Sequence, residues 1–343
     1  MTHRPITLAL NGFGRIGRTI LRILSKAGND DLRLVLINDI EPLESCAYLF
    51  EYDSVFGPYP GRVETRPGML VVDDREIPFH CVRDISAFDL SGVDVVLECT
   101  GHNDDREAIE RGLRAGASAV LISGPSKVAD ATLVIGANDG RLGEERVISN
   151  ASCTTNALAP LLKILHDAFG VVAGQMTTVH CYTGSQPTVD KPRGDAARSR
   201  AAALSMVPTT TSAGRLIGQV LPELAGRIEA RAIRVPTASV SAIDLTVSTE
   251  RPASVAAVNS ILREKTGISP VFGWTDRPLV SSDLRARPES IIIAGPETSL
   301  AGGLLRVFGW YDNEWGFSCR MLEMARMIGQ RNHQGRETPH VER

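Results

Sequence analysis

The chain has 343 residues, more than one hydrophobic core ordinarily spans, so two domains of about 150 residues each are expected. Hydrophobic residues make up 43%, charged residues 22%, and the formal net charge is -3, which excludes the basic excess of a nucleic-acid binder and the polarity of a disordered chain. No stretch approaches the roughly 18 unbroken apolar residues of a spanning helix, and the first residues lack a signal-peptide core; the expectation is a cytoplasmic enzyme without membrane or nucleic-acid partners.

In chain order, the first half alternates short aliphatic runs with helical stretches, the pattern of parallel βαβ units. Residues 6–10, 34–37, 93–97 and 119–122 read as strands, and DDREAIERGLRAGA, with Ile109, Leu113 and Ala115 amid charges, reads as a surface helix. From about Met176 the texture changes to longer alternating runs: QMTTVHCY, EARAIRVPTASVSAIDLTVS, SIIIAG and LLRVFGWY. These predict a mixed, largely antiparallel sheet with helices over 157–169 and 254–265. The resulting expectation is a doubly wound parallel-sheet domain over 1–152, a second α+β domain over 153–316, a helix over about 317–330 packing back on the first domain, and a frayed polar tail over 331–343.

After the first strand come Gly12, Gly14 and Gly17 in a G-x-G-x-x-G spacing, and then a helical run. In a Rossmann-type domain the first glycine makes the tight turn, the second lets backbone approach a pyrophosphate, and the third allows close helix packing. Asp39 ends the next strand, about 22 residues on. A carboxylate there accepts from the ribose hydroxyls of NAD and repels the extra phosphate of NADP; ordinary turn chemistry at a strand end would equally call for Asp.

The six cysteines, Cys46, Cys81, Cys99, Cys153, Cys181 and Cys319, show neither paired nor metal-ligand spacing, so no disulfide framework and no metal site is expected. Cys153 stands apart. It lies in SNASCTTN, directly before an apolar helical run, with cap-type residues on both sides. Free N–H groups and the positive dipole at a helix start stabilise a thiolate. His180, at the end of the strand MTTVH, is the candidate base, although a strand-end histidine taken singly is more often structural.

The stretches NGFGRIGR, YDSVFG, SNASCTTN, TTVHCYT, AARSRAAALSMVPTTT, RVPTASVSAIDL and WYDNEWG, in this order between residues 6 and about 328, resemble the phosphorylating glyceraldehyde-3-phosphate dehydrogenase family. The resemblance implies an NAD-dependent aldehyde dehydrogenase in which Cys153 forms a hemithioacetal and then a thioester, with His180 as acid and base. It assigns Arg15 and Ile16 to the pyrophosphate, Arg83 and Ser123 to the cofactor periphery, and Asn313 to the nicotinamide carboxamide. Thr183 and Arg234 are implied ligands of the substrate phosphate. Ser152, Arg198 and Thr211 are implied around the attacking inorganic phosphate, with Ser212 beside them, and Thr154 is implied among the substrate and phosphate residues. Pro192 matches a position near a neighbouring subunit's adenosine, so a homotetramer is implied as well.

Some positions depart from the family pattern. Asn103 replaces an adenine-covering aromatic, Ser212 a glycine, Ala157 a second cysteine, and Cys319 an asparagine. Lys191 replaces an apolar residue, and a cation near the ribose would offset part of the repulsion between Asp39 and NADP. The alternatives are erythrose-4-phosphate dehydrogenase, which hydrolyses the thioester, and a non-catalytic binding protein on the same scaffold.

Overall fold

The computed structural model describes residues 4–337 and divides the chain into two compact units. The first takes the described residues up to Leu133, Gly140–Ala151 and those from Ser318 onward; the second takes Val134–Asp139 and Ser152–Phe317.

The first unit begins with β1 (Ile6–Asn11), α1 (Arg15–Leu24), β2 (Leu32–Asp39) and α2 (Leu43–Glu51). Next come β3 (Val63–Arg66), β4 (Met69–Val72), β5 (Arg75–Cys81) and β6 (Val95–Glu98). Two short helices, α3 (Arg106–Ile109) and α4 (Arg111–Arg114), precede β7 (Ala119–Ile122), β8 (Ala131–Thr132) and β9 (Val147–Ser149). These strands form one sheet in the order β3-β4-β5-β2-β1-β6-β7-β9-β8. All neighbours from β5 to β8 are parallel. β6 and β7 are buried at every position, as strands covered on both faces must be, and that is why they read as unbroken apolar runs. β1 lies between β2 and β6, so the chain winds away from it in both directions and leaves a crevice at the carboxyl ends of β1 and β6.

Two features of this unit differ from the sequence reading. The expected surface helix is broken at Glu110, which closes α3 and opens α4. The antiparallel run β3-β4-β5 was not anticipated. Its signal was present in MLVV and REIPFHC, joined by Asp73 and Asp74, both at positive φ as a tight hairpin requires.

The second unit contains α5 (Cys153–Phe169), β10 (Val171–Cys181), β11 (Val207–Thr210), α6 (Ala213–Val220), β12 (Ile228–Val235) and β13 (Ser241–Thr249). It continues with α7 (Val255–Thr266), β14 (Phe272–Thr275), β15 (Ile291–Ala294), β16 (Ser299–Ala301) and β17 (Leu304–Tyr311). The sheet runs β11-β12-β10-β13-β17-β15-β14, with β16 on β17. It is mixed: β12 and β14 pair in parallel with β10 and β15, and the other pairs are antiparallel. The long run EARAIRVPTASVSAIDLTVS is two strands, β12 and β13, turning at residues 236–240, where Val240 has φ 65°.

The last helix, α8 (Trp315–Glu337), is longer at both ends than the 317–330 read from sequence. Of the expected tail, residues 331–337 are helical and 338–343 lie outside the described residues. Arg326 explains part of the order, since its guanidinium bonds both carboxylate oxygens of Asp31 and the side-chain oxygen of Asn29.

Candidate active site

At the crevice of the first unit, the three glycines have three different reasons to lack a side chain. Gly12 has φ +95°, and a Cβ on it would stand 2.6 Å from the Cys99 carbonyl carbon. A Cβ on Gly17 would stand 2.3 Å from the Gly12 carbonyl oxygen, so the helix can pack on the turn only as it is. Gly14, the N-cap of α1, has nothing within 4 Å of its ideal Cβ position. Open space over bare backbone at a helix start is what an incoming pyrophosphate requires. Gly12, Gly14 and Asp39 line one cavity of about 560 Å³ together with Thr100, Arg83 and Arg111.

Two implied contacts take a more exact form here. The Arg15 guanidinium is paired with Asp53 and lies over the Phe56 ring, while Arg15 and Ile16 open α1 directly after Gly14. Asp39 accepts from Phe13 N–H at 2.5 Å and from the Ile40 and Glu41 N–H groups at 2.7 and 3.0 Å. It therefore ties the glycine turn to the end of β2. Ser123 follows β7, its N–H bonded to the Glu98 carbonyl at 2.9 Å.

In the second unit, Ser152 caps α5: its hydroxyl accepts from Thr155 N–H at 3.0 Å, leaving Cys153 as the first helical residue. The half-buried thiol has its Sγ 3.7 Å from Nε2 of His180, which is the last residue but one of β10 and is 5% exposed. Register explains what stands behind the imidazole, because His180 pairs directly with Arg234 of β12. Arg234 Nη1 lies 2.8 Å from His180 Nδ1 and donates to the Cys181 carbonyl at 3.0 Å, while Nδ1 is itself 2.7 Å from that carbonyl. With its proton on Nδ1, His180 donates to the carbonyl and turns a lone pair toward the thiol; the other tautomer accepts from Arg234 and presents Nε2–H.

The helix start alone predicts a depressed thiol, but burial outweighs it and pushes Cys153 up, against the charge of Arg234 and hydrogen bonds from Thr154. Burial also drives His180 down to about 4, with Arg234 adding to the effect. Near neutral pH the pair rests as thiol and imidazole, and His180 is free to take a proton.

Comparison with known proteins gives the two parts of the chain a family. Residues 6–106 match the model of the glyceraldehyde 3-phosphate dehydrogenase NAD-binding domain, and residues 152–313 that of the C-terminal domain. A glyceraldehyde-3-phosphate dehydrogenase of Xanthobacter flavus is 45% identical over 95% of this chain and 99% of its own. The Pseudomonas aeruginosa protein of the same name is 46% identical over 93% and 97%. The chain belongs to the glyceraldehyde-3-phosphate dehydrogenase family. It is accordingly an NAD-dependent dehydrogenase, and its first unit carries the NAD-binding domain.

The remaining residues that the family resemblance singles out are not all equally available. Arg234 has no carboxylate partner among the described residues, so its charge faces His180 uncompensated. Arg198 donates to the Thr209 hydroxyl at 2.6 Å and to the carbonyl and hydroxyl of Thr210 at 3.0 and 3.2 Å; Asp195 lies 3.7 Å away. Thr211 accepts from Ala213 N–H at 3.3 Å, and Ser212 is the N-cap of α6. Thr183, just past β10, shares a hydrogen bond with Ser185 at 2.9 Å. β11, β12 and β10 are adjacent, so the Arg198–Thr209 pair, Arg234 and His180 come from neighbouring strands.

Thr154 is more deeply buried than its neighbour Cys153. It is 3% exposed, and its hydroxyl lies 2.8 Å from that of Tyr311. Asn313 is 7% exposed and accepts from the Cys181 thiol at 3.0 Å. Sequence reasoning missed Cys181, Thr178 and Tyr311, all buried under the pair. Their places in β10 and β17 look like ordinary core, and no local pattern separates a polar side chain beside the pair from one satisfied elsewhere. Among the described residues no helix is long and apolar enough to cross a membrane, and no group of three or more His, Cys, Asp or Glu could hold a metal ion.

Proposed function

We propose that the chain oxidises D-glyceraldehyde 3-phosphate with NAD and inorganic phosphate to 1,3-bisphosphoglycerate. The observation that carries this reading is the Cys153 thiol at a helix start, 3.7 Å from a buried neutral imidazole whose far side meets an unpaired arginine. His180 takes the thiol proton as sulfur bonds to the aldehyde carbon, and returns a proton to the carbonyl oxygen to complete the hemithioacetal. The Cys153 N–H and His180 Nε2–H steady the developing oxyanion. NAD, when bound, would supply the two-electron acceptor for oxidation at the hemithioacetal carbon, and His180 takes the hydroxyl proton as the thioester forms. A phosphate oxygen then attacks the thioester carbon, the C–S bond breaks, and His180 protonates the departing thiolate.

Arg234 and Thr183 hold the substrate's own phosphate in this reading, while Arg198, Thr211, Ser212 and Ser152 serve the attacking one. Thr154 belongs with the substrate and phosphate residues in the same reading, next to Cys153 on α5. Arg83, Ser123 and Asn313 hold the cofactor's periphery and carboxamide. The family's names support the substrate, since the relatives from Xanthobacter flavus and Pseudomonas aeruginosa are both called glyceraldehyde-3-phosphate dehydrogenase. A cytoplasmic homotetramer is the working form.

The test is a spectrophotometric assay with glyceraldehyde 3-phosphate, with and without inorganic phosphate, and with NAD or NADP. Turnover should saturate with phosphate, yield an acyl phosphate and favour NAD by on the order of a hundredfold, the effect of a few kcal/mol of charge repulsion at Asp39. Phosphate-independent turnover to a free acid, more efficient on erythrose 4-phosphate, would replace this reading with the hydrolytic one.

A further inference from the structure

Cys181, the last residue of β10, is fully buried beside the base, and its thiol takes no part in the steps at Cys153. Its sulfur lies 3.0 Å from Oδ1 of Asn313 and 3.8 Å from Nδ1 of His180. Register within the second unit's sheet brings the partners together. β13 runs between β10 and β17, and Ser241 at its start pairs with Tyr311 at the end of β17. The Ser241 hydroxyl also accepts from the Cys181 N–H at 3.2 Å. Asn313, two residues past the end of β17, therefore reaches over the start of β13 to the end of β10.

A thiol has one proton to give. Nδ1 of His180 is the more distant of its two neighbours and is engaged 2.7 Å from the Cys181 carbonyl, so the thiol proton goes to Asn313. Burial pushes the Cys181 thiol up to about 12, which keeps that proton in place near neutral pH. Donation to Oδ1 decides which way round the amide stands, with its oxygen turned to the sulfur and its NH2 group turned away. That NH2 group donates to none of the described residues, and although Asn313 is only 7% exposed, Nδ2 is not enclosed by protein. A side chain fixed by its acceptor and left with its donor free is set to meet an acceptor that arrives with a ligand. The carbonyl oxygen of a carboxamide is such an acceptor.

We infer that Cys181 is a positioning residue for the cofactor: its thiol anchors Oδ1 of Asn313 so that Nδ2 donates to the carboxamide oxygen of the nicotinamide. The inference rests on the reading of Asn313 as the partner of the carboxamide. It gives the end of β10 two duties, since the Cys181 carbonyl accepts from Arg234 at 3.0 Å behind the imidazole while the thiol holds the amide.

The test is calorimetric titration of the full chain with NAD and with ADP-ribose, which lacks the nicotinamide and so reports on every contact except those at the carboxamide. Cys181→Ala should weaken NAD binding roughly fivefold, the effect of one modest hydrogen bond, and leave ADP-ribose binding within about twofold of the wild type. Cys181→Ser, which keeps a donor, should bind both ligands within about twofold of the wild type. The acetylpyridine analogue of NAD keeps the carbonyl and lacks the amide N–H groups, and Cys181→Ala should lose the same factor with it, because Nδ2 meets the oxygen. Asn313→Ala should weaken NAD binding about tenfold, and adding Cys181→Ala should cost nothing further, since the thiol acts through Asn313. Melting curves run alongside identify a variant that fails to fold, and Cys181→Val then removes the donor at nearly the same volume. Unchanged NAD binding by Cys181→Ala, equal losses for NAD and ADP-ribose, or losses that multiply in full in the double variant would overturn the inference while leaving Asn313 its role. Wild-type NAD binding by Asn313→Ala would instead remove the carboxamide reading, and the inference with it.

Discussion

A buried histidine held neutral has a consequence that can be measured apart from catalysis. His180 falls from an ordinary 6.5 to about 4 on folding, chiefly through burial. Below pH 6.5 the unfolded chain therefore binds a proton that the folded chain refuses, and stability falls as pH drops from about 6.5 to about 4. Between pH 7 and pH 4.5 the contribution is on the order of 2–3 kcal/mol. Urea unfolding at both pH values should show the wild type losing that much more than His180→Asn, since carboxylate titration is common to both. An equal loss in the two proteins would mean that His180 titrates normally. The same burial accounts for what could be read in advance. Cys153 and His180 are legible as candidates because cap residues and a strand end surround them in the chain, whereas the 3.7 Å approach of the two, 27 positions apart, is made only by folding.

At the scale of the element, the glycine turn separates residues that shape the fold from those that admit a ligand. Gly17 is pressed against the Gly12 carbonyl, and a methyl there must displace backbone. Gly14 has φ -70°, a value any residue adopts, and open space where its side chain would be. Gly17→Ala should therefore cost about 1–3 kcal/mol of stability. Gly14→Ala should change stability by less than about 0.5 kcal/mol while weakening NAD binding at least tenfold, a drop of about 1.4 kcal/mol. Thermal melts and fluorescence titration with NAD measure the two effects; if Gly14→Ala binds as tightly as the wild type, no part of the cofactor crosses that residue. The motif and its place between strand and helix were readable, because spacing and context are local. Which glycine serves which purpose was less accessible, since Cys99 and the Gly12 carbonyl reach the motif through folding. The β3-β4-β5 run was missed for another reason: its strands are only four to seven residues long, too short for alternation to declare itself without weighing the Asp73–Asp74 turn.

Over the whole molecule, the chain passes between its two units at residues 133/134, 139/140, 151/152 and 317/318, so the NAD-binding unit is not a contiguous segment. The alternation of strands and helices makes two domains legible from the sequence. The short excursion of Val134–Asp139 is not, because six residues without periodicity carry no sign of the unit they join. The return of α8 matters for stability. Met321, Leu322, Met324, Ala325 and Ile328 are all essentially inaccessible, and Gly329 lies so close to Ile6 of β1 that a Cβ would stand 2.4 Å from its Cγ2. At roughly 1.5–3 kcal/mol for each large apolar side chain, the burial made by this helix rivals the 5–15 kcal/mol that holds an ordinary domain together. A chain ending at Phe317 keeps Gly12, Gly14, Gly17, Asp39, Arg83 and Ser123, yet it should not bind NAD, because the sheet presenting them loses its cover. Calorimetric titration of the truncated chain measures this, with Gly329→Val as a gentler perturbation expected to lower the melting temperature by several degrees and to have it partly restored by saturating NAD. Binding by the truncated chain within threefold of the wild type would make α8 an appendage, and the stability of the nucleotide crevice would then have to come from the first 151 residues alone.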